Sequence, residues 1–174
     1  MAFYIVSKGH LQTYDFPYLR GPIPVRLEAT LIHGRPHQSS PVSENRDVYA
    51  YELMTRQVVS LSPAATVEAA RILMHEKRIH HIPLVIDHKL TGLISYRDIV
   101  RLPDQKSRVA DHMSTLVLCA SDSTPLRHLV EVFYRENINA LPLVDEDFRL
   151  SGIITHRDIL RWILEAKAYS TPSA

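Results

Sequence analysis

Two hydroxyl–acid pairs carry the chemistry this chain can offer: Ser95 with Asp98, and Thr155 with Asp158. Each lies in the same setting, LTGLISYRDIVR (residues 90–101) and LSGIITHRDILR (residues 150–161), where a Gly opens an apolar run and Arg-Asp-Ile follows the hydroxyl. Ser or Thr followed three residues later by an acid is a helix capping box, which accounts for either copy taken alone. Capping asks nothing of the residues between, yet Arg97 and Arg157 recur. A helix N-terminus, a hydroxyl and an arginine suit a phosphate. A carboxylate suits the two hydroxyls of a ribose. Phosphate plus ribose specifies a nucleotide, and capping and binding are compatible in the same residues.

Other chemistries find little purchase. The single cysteine, Cys119, excludes an internal disulfide framework and reads as a small buried residue in a strand. Ten histidines are present, but His80 follows His75-Glu76 one position too late for a zinc-binding HExxH helix, and no zinc-spaced cluster occurs elsewhere. No GxxxxGK[ST], GxGxxG or Ser/His/Asp arrangement is visible, and the two aspartates lack a general-base partner that spacing can identify. No catalytic residue is expected.

With 174 residues, 45% hydrophobic and 22% charged, the chain suits one compact soluble domain or two small ones sharing a core. Twenty basic residues against 19 acidic ones give no overall field for nucleic acid or anionic membrane, so an anion would need a local site. The N-terminus lacks the pattern of a secretory signal and no apolar run is long enough to span a bilayer. A cytoplasmic protein is expected.

The elements that must position the two pairs come from a repeat of roughly 60 residues. Met54 falls over Met113, Pro83-Leu84-Val85 over Pro142-Leu143-Val144, and, after one extra residue near Asp147–Arg149, Gly92 over Gly152. The expected order is strand (Val58–Leu61; Val117–Ala120), helix, strand, strand, helix, twice. The first helix runs over Val67–Lys77 with Val67, Ala70, Leu73 and Met74 on one stripe. Its counterpart starts near Pro125, with Thr124 as N-cap and Leu126, Leu129, Val130 and Phe133 inward. Polar turns at Asp87–Lys89 and Glu146–Phe148 join the two strands before each motif. A short closing helix then carries Ile99, Val100 and Leu102, or Ile159, Leu160 and Ile163.

One copy cannot cover both faces of so small a sheet, whereas two packed sheet to sheet under a pseudo-twofold can, leaving two equivalent clefts. The division is 1–47 extension and linker, 48–106 and 107–166 repeats, and 167–174 tail. In the extension, FYIV and PVRLEATLI read as short strands and His33–Asp47 as a linker. Its aromatics are expected to pack on the following domain or on a partner.

Tandem repeats with a PLV strand, a polar turn, Gly-apolar-apolar-Ser/Thr-x-x-Asp and a closing helix resemble a pair of cystathionine-beta-synthase (CBS) domains, a Bateman module. The resemblance covers roughly Val48–Ala166. It implies an α/β (α+β) fold of two β-α-β-β-α repeats. It also implies a regulatory, non-catalytic role: binding AMP, ADP or ATP, less readily S-adenosylmethionine, and signalling a conformational change to a regulated partner. Two modules commonly form a disc-shaped homodimer. Carried over, Asp98 and Asp158 would hold ribose, and Ser95 and Thr155 would assist with phosphate. Arg97 and Arg157 would sit at the cleft or make surface ion pairs. His80 and His81 occupy the place of phosphate-reaching basic residues, where the second repeat has Asn139 and Ala140. Thr124 matches a Thr that lines the pocket, where the first repeat has Ala65. The expectation is one competent site and one weak or vacant one. The alternative is an assembly module with vestigial clefts.

Overall fold

A computed structural model describes residues 3–7, 10–19 and 47–168. The expected strand PVRLEATLI, the linker up to Arg46 and the tail beyond 168 lie outside the described residues. The elements are strands β1 (Phe3–Ser7) and β2 (His10–Tyr14), then helices α1 (Ala50–Leu53) and α2 (Val67–Lys77). Strands β3 (His81–Ile86) and β4 (Lys89–Ser95) lead to helix α3 (Tyr96–Ile99). The second repeat supplies β5 (Leu116–Ser121), α4 (Leu126–Arg135), β6 (Ala140–Val144), β7 (Leu150–Thr155) and α5 (His156–Ala168). The result is a mixed α+β fold, with a five-stranded sheet ordered β2-β1-β5-β6-β7 and a two-stranded sheet β3-β4.

Each repeat's helix and hairpin follow from local chemistry. Thr66 caps α2 by accepting from the Ala69 amide at 3.1 Å, and Arg78 ends it in the left-handed region. Val67, Ala70 and Met74 are buried and Leu73 partly so, as the stripe requires. Asp87 and His88, both at positive φ, make the two-residue turn from β3 to β4. Both hairpins carry an irregularity at the same place, between Leu84 and Val85 and between Leu143 and Val144.

The repeats are joined by exchanged lead segments. Thr55 pairs with Ile153 of β7 through backbone bonds of 2.9 and 3.1 Å, and Ser114 pairs with Leu93 of β4 at 2.9 and 3.2 Å. Immediately before those residues, Met54 lies on Gly152 and Met113 lies on Gly92. A Cβ at either glycine would stand 2.4 Å from the methionine Sδ. The glycines recur because a neighbouring chain segment fills the space of a side chain. Between the sheets, Leu90 of β4 packs with Val6, Val117, Cys119 and Val144. Burial there pushes the Cys119 thiol up to about 12, the environment of an inert core cysteine.

Four expectations are corrected. Val58–Leu61 forms no strand; only Leu61 bridges Leu84, in parallel. Its counterpart Leu116–Ser121 is a full strand because β1 pairs along it from Ser7↔Leu116 to Phe3↔Ala120, and nothing does this for Val58–Leu61 among the described residues. Thr124 is not the cap of α4. Pro125, in extended geometry, takes that place, while Val48 and Ala50 bind the backbone of Leu126 and Thr124 at 2.7 and 2.9 Å. The buried face of α4 is Leu126, Leu129, Val132 and Phe133, with Val130 exposed, because Phe3 and Phe16 of the extension share that cluster. The two closing helices also differ in length, four residues against 13, so that Leu160 and Ile163 are exposed rather than inward.

Gly152→Ala is expected to lower the melting temperature by roughly 3–10 °C through overpacking, and a Met54→Ala background should remove most of that penalty. Thermal unfolding of the four proteins checks this; equal penalties in both backgrounds would remove the methionine from the explanation.

Candidate functional site

The last residue of β4 and the first turn of α3 place Ser95 and Asp98, and β7 and α5 do the same for Thr155 and Asp158. Within each pair the acid reaches back. Asp98 Oδ2 accepts from the Ser95 amide at 2.8 Å and from its hydroxyl at 2.6 Å. Asp158 Oδ2 accepts from the Thr155 amide at 2.9 Å and hydroxyl at 2.7 Å. One carboxylate oxygen is thereby spent on local geometry, and the hydroxyl is spent with it. Chemistry toward a ligand falls to Oδ1.

At Oδ1 the copies part. Asp98 is exposed, and none of the described residues donates to its Oδ1. Asp158 is buried, and Arg161 on the next turn of α5 donates to its Oδ1 at 2.7 Å. The sequence gives no direct sign of this, since Arg101 stands at the same spacing after Asp98.

Both motifs open on one continuous cavity of about 1040 Å³, at the upper end of the roughly 300–1,000 Å³ of small-molecule sites. The two expected clefts are therefore joined, and they are not equivalent. The first lead segment lends Thr55, Gln57, Val58 and Val59 to the lining, while the second lends Ser114. Leu116 onward is committed to β5. Apolar walls come from Ile79, Leu93, Ile138 and Ile153.

Of the residues singled out from the sequence, Ser95, Arg97, Asp98, Thr155, Arg157, Asp158, His80 and His81 all line this cavity. Arg97 and Arg157 make no ion pair among the described residues, which favours the cleft over surface pairing for both. Thr124 is not among them: it is fully buried, held by the docking of residues 48–50, and its hydroxyl has no partner. Sequence reasoning missed Arg78 and His156, further cationic or titratable groups on the wall. His156 could have been found as the residue between Thr155 and Arg157. Arg78 could not, because its place depends on the left-handed end of α2.

The helix N-terminus contributes less than expected. The Tyr96 amide is bonded to the His80 carbonyl at 2.8 Å, and α3 is a single turn with a small dipole. An anion near Asp98 must rely on side chains, and these are present. His80 is exposed with its ring edge-on to Tyr96, and His81 is half-buried beside it. Burial pushes the His81 imidazole below its ordinary value; the His80 and His156 rings and Arg97 add to this, and the Asp98 carboxylate opposes it. In the second copy Asn139 and Ala140 offer no charge, and the Asn139 carbonyl accepts from the His156 amide at 3.4 Å. Among the described residues no group of three His, Cys, Asp or Glu is placed to hold a metal ion, and no helix is long and apolar enough to cross a membrane.

The CBS domain family model matches residues 50–104 and 109–165. The chain belongs to this family, as two CBS domains in tandem. It is 36% identical over 113 residues to the inosine-5'-monophosphate dehydrogenase of Methanocaldococcus jannaschii, covering 64% of this chain and 23% of that one. It thus spans about a quarter of that relative's length. Among solved structures it resembles CBSX2 in complex with AMP, at 27% identity and a TM-score of 0.63 over 68% of this chain and 98% of the other. It also resembles the CBS domain pair of protein MJ0100, in complex with 5'-methylthioadenosine and S-adenosyl-L-methionine. That pair is 25% identical, with a TM-score of 0.62 over 67% of this chain and 99% of the other.

Because the folded value of His81 lies below the unfolded one, the unfolded chain binds more protons as pH falls, and stability is lost below about 6.5. Melting temperatures measured between about pH 7.5 and 5 should fall less steeply in His81→Gln than in the wild type. An unchanged slope would show that His81 does not contribute; His128, lowered by burial and Arg127, supplies a residual slope in both.

Proposed function

We propose that the chain is a non-catalytic regulatory module that binds an adenosyl ligand, AMP, ADP or ATP ahead of S-adenosylmethionine. The observation that carries this reading is the open Oδ1 of Asp98, held in place through its doubly bonded Oδ2, on a cavity wall that also presents His80, His81 and Arg97. Oδ1 accepts from the ribose hydroxyls. The imidazoles and guanidinium face the phosphate, and the apolar walls hold the base. The bound complexes of CBSX2 with AMP and of the MJ0100 pair with adenosyl ligands support this choice of ligand class.

The cavity is walled by both repeats, so a ligand touching both favours one mutual packing over another. A regulated partner, or a second copy in a cytoplasmic homodimer, reads that difference. No group in the site is arranged as a nucleophile with a base, consistent with binding rather than turnover.

A second reading, assembly without ligand, is favoured by the exposed apolar side chains on α5, Leu160, Trp162, Ile163 and Leu164, and by Tyr134 on α4, which is 87% exposed. A thermal-shift panel separates the two. At about 100 times the dissociation constant a ligand adds about 2.7 kcal/mol, a rise of roughly 5–10 °C for a chain of this size. AMP, ADP or ATP should produce such a rise in the wild type and lose it in Asp98→Ala. No response to any of these or to S-adenosylmethionine would leave assembly as the function.

A further inference from the structure

The two copies of the motif share the sequence Arg-Asp-Ile-apolar-Arg, yet only one of them is closed by its own arginine. The cause is helix length. Pro103 follows Leu102, and a residue before proline is driven out of helical geometry, so α3 ends at Ile99 and Arg101 lies beyond it. No proline interrupts α5, which continues to Ala168 and puts Arg161 one turn above Asp158, where side chains three apart meet.

The pair is unlike an ordinary surface ion pair. Arg161 is 58% exposed and Asp158 10% exposed by side chain, so the carboxylate is the desolvated member and the guanidinium the free one. With Oδ2 taken by Thr155 and Oδ1 by Arg161, each oxygen of Asp158 already has a donor. A ribose hydroxyl approaching Oδ1 is a neutral donor competing with a charged one, and charge-assisted bonds are about twice as strong. Arg161 can leave to solvent without burying its charge, so the closure is reversible.

We propose that Arg161 is an internal competitor at the second ribose position: it occupies Asp158, leaving the cavity one open adenosyl position, at Asp98, and a second that opens only when Arg161 is displaced. This rests on the adenosyl-binding reading above and adds to it the residue that sets the number of ligands bound. It is also independent of the His80-His81 against Asn139-Ala140 difference, which concerns phosphate rather than ribose.

Calorimetric titration of the full chain with AMP tests it. The wild type should bind one AMP, and Arg161→Met should bind two, the second within about tenfold of the first once the competing donor is gone. Arg161→Gln, which keeps a polar head without the charge, should also show the second site. Adding Asp158→Ala to Arg161→Met should return the stoichiometry to one, which a general loosening of α5 would not do. Two equal sites in the wild type, or a single unchanged site in both Arg161 variants, would overturn the proposal while leaving the Asp98 site standing. No AMP bound by the wild type or either variant would overturn both.

Discussion

The crossing of the two lead segments is the constraint on which the rest depends. Met54 can reach Gly152, and Met113 can reach Gly92, only because those positions have no side chain. The backbone of Thr55 and Ser114 then adds to the strand that carries the opposite motif. Each Ser/Thr-x-x-Asp is thus braced by the other repeat, three residues after its glycine. The cavity exists because two chain segments pass each other there, and any ligand within it touches both repeats.

That exchange is symmetric, and the departures from symmetry come from outside it. The N-terminal hairpin pairs with β5 and converts the second lead segment into a strand, so its side chains leave the cavity wall. The first lead segment has no such partner among the described residues and keeps Val58 and Val59 on the wall. Pro103 truncates one closing helix, and its absence from the other lets Arg161 reach Asp158. Near-identical motifs thereby acquire different electrostatics: an exposed Asp98 beside two histidines, and a buried Asp158 paired with its own arginine.

The repeat, the strand of Phe3–Ser7, the α2 stripe, the turn at Asp87–His88 and the local bonding of both hydroxyl–acid pairs were legible in the sequence, because each rests on contacts within a few residues. The resemblance to CBS pairs is confirmed by the family match over both repeats. What was not legible depends on distant chain. Val58–Leu61 has the composition of a strand and lacks a full partner, and composition does not supply one. The face of α4 turned because aromatics from the far end of the chain, Phe3 and Phe16, pack on it. Thr124 left the cavity because the backbone around Val48–Ala50 claimed its neighbours. At the site, the eight residues that share the cavity could be named from position; the oxygen on each aspartate that remained free could not.

The chemistry reduces to that free oxygen. An acid whose Oδ2 is fixed by its own amide and hydroxyl presents Oδ1 in one direction, a preorganised acceptor for a vicinal diol. The measurement that tests this most directly is a crystal structure of the chain grown with AMP. The account predicts ribose hydroxyls on Asp98 Oδ1 and phosphate on the side of His80 and His81, with Arg161 still on Asp158. Ribose seated on Asp158 with Asp98 uncontacted, or a cavity without AMP at saturating concentration, would contradict it.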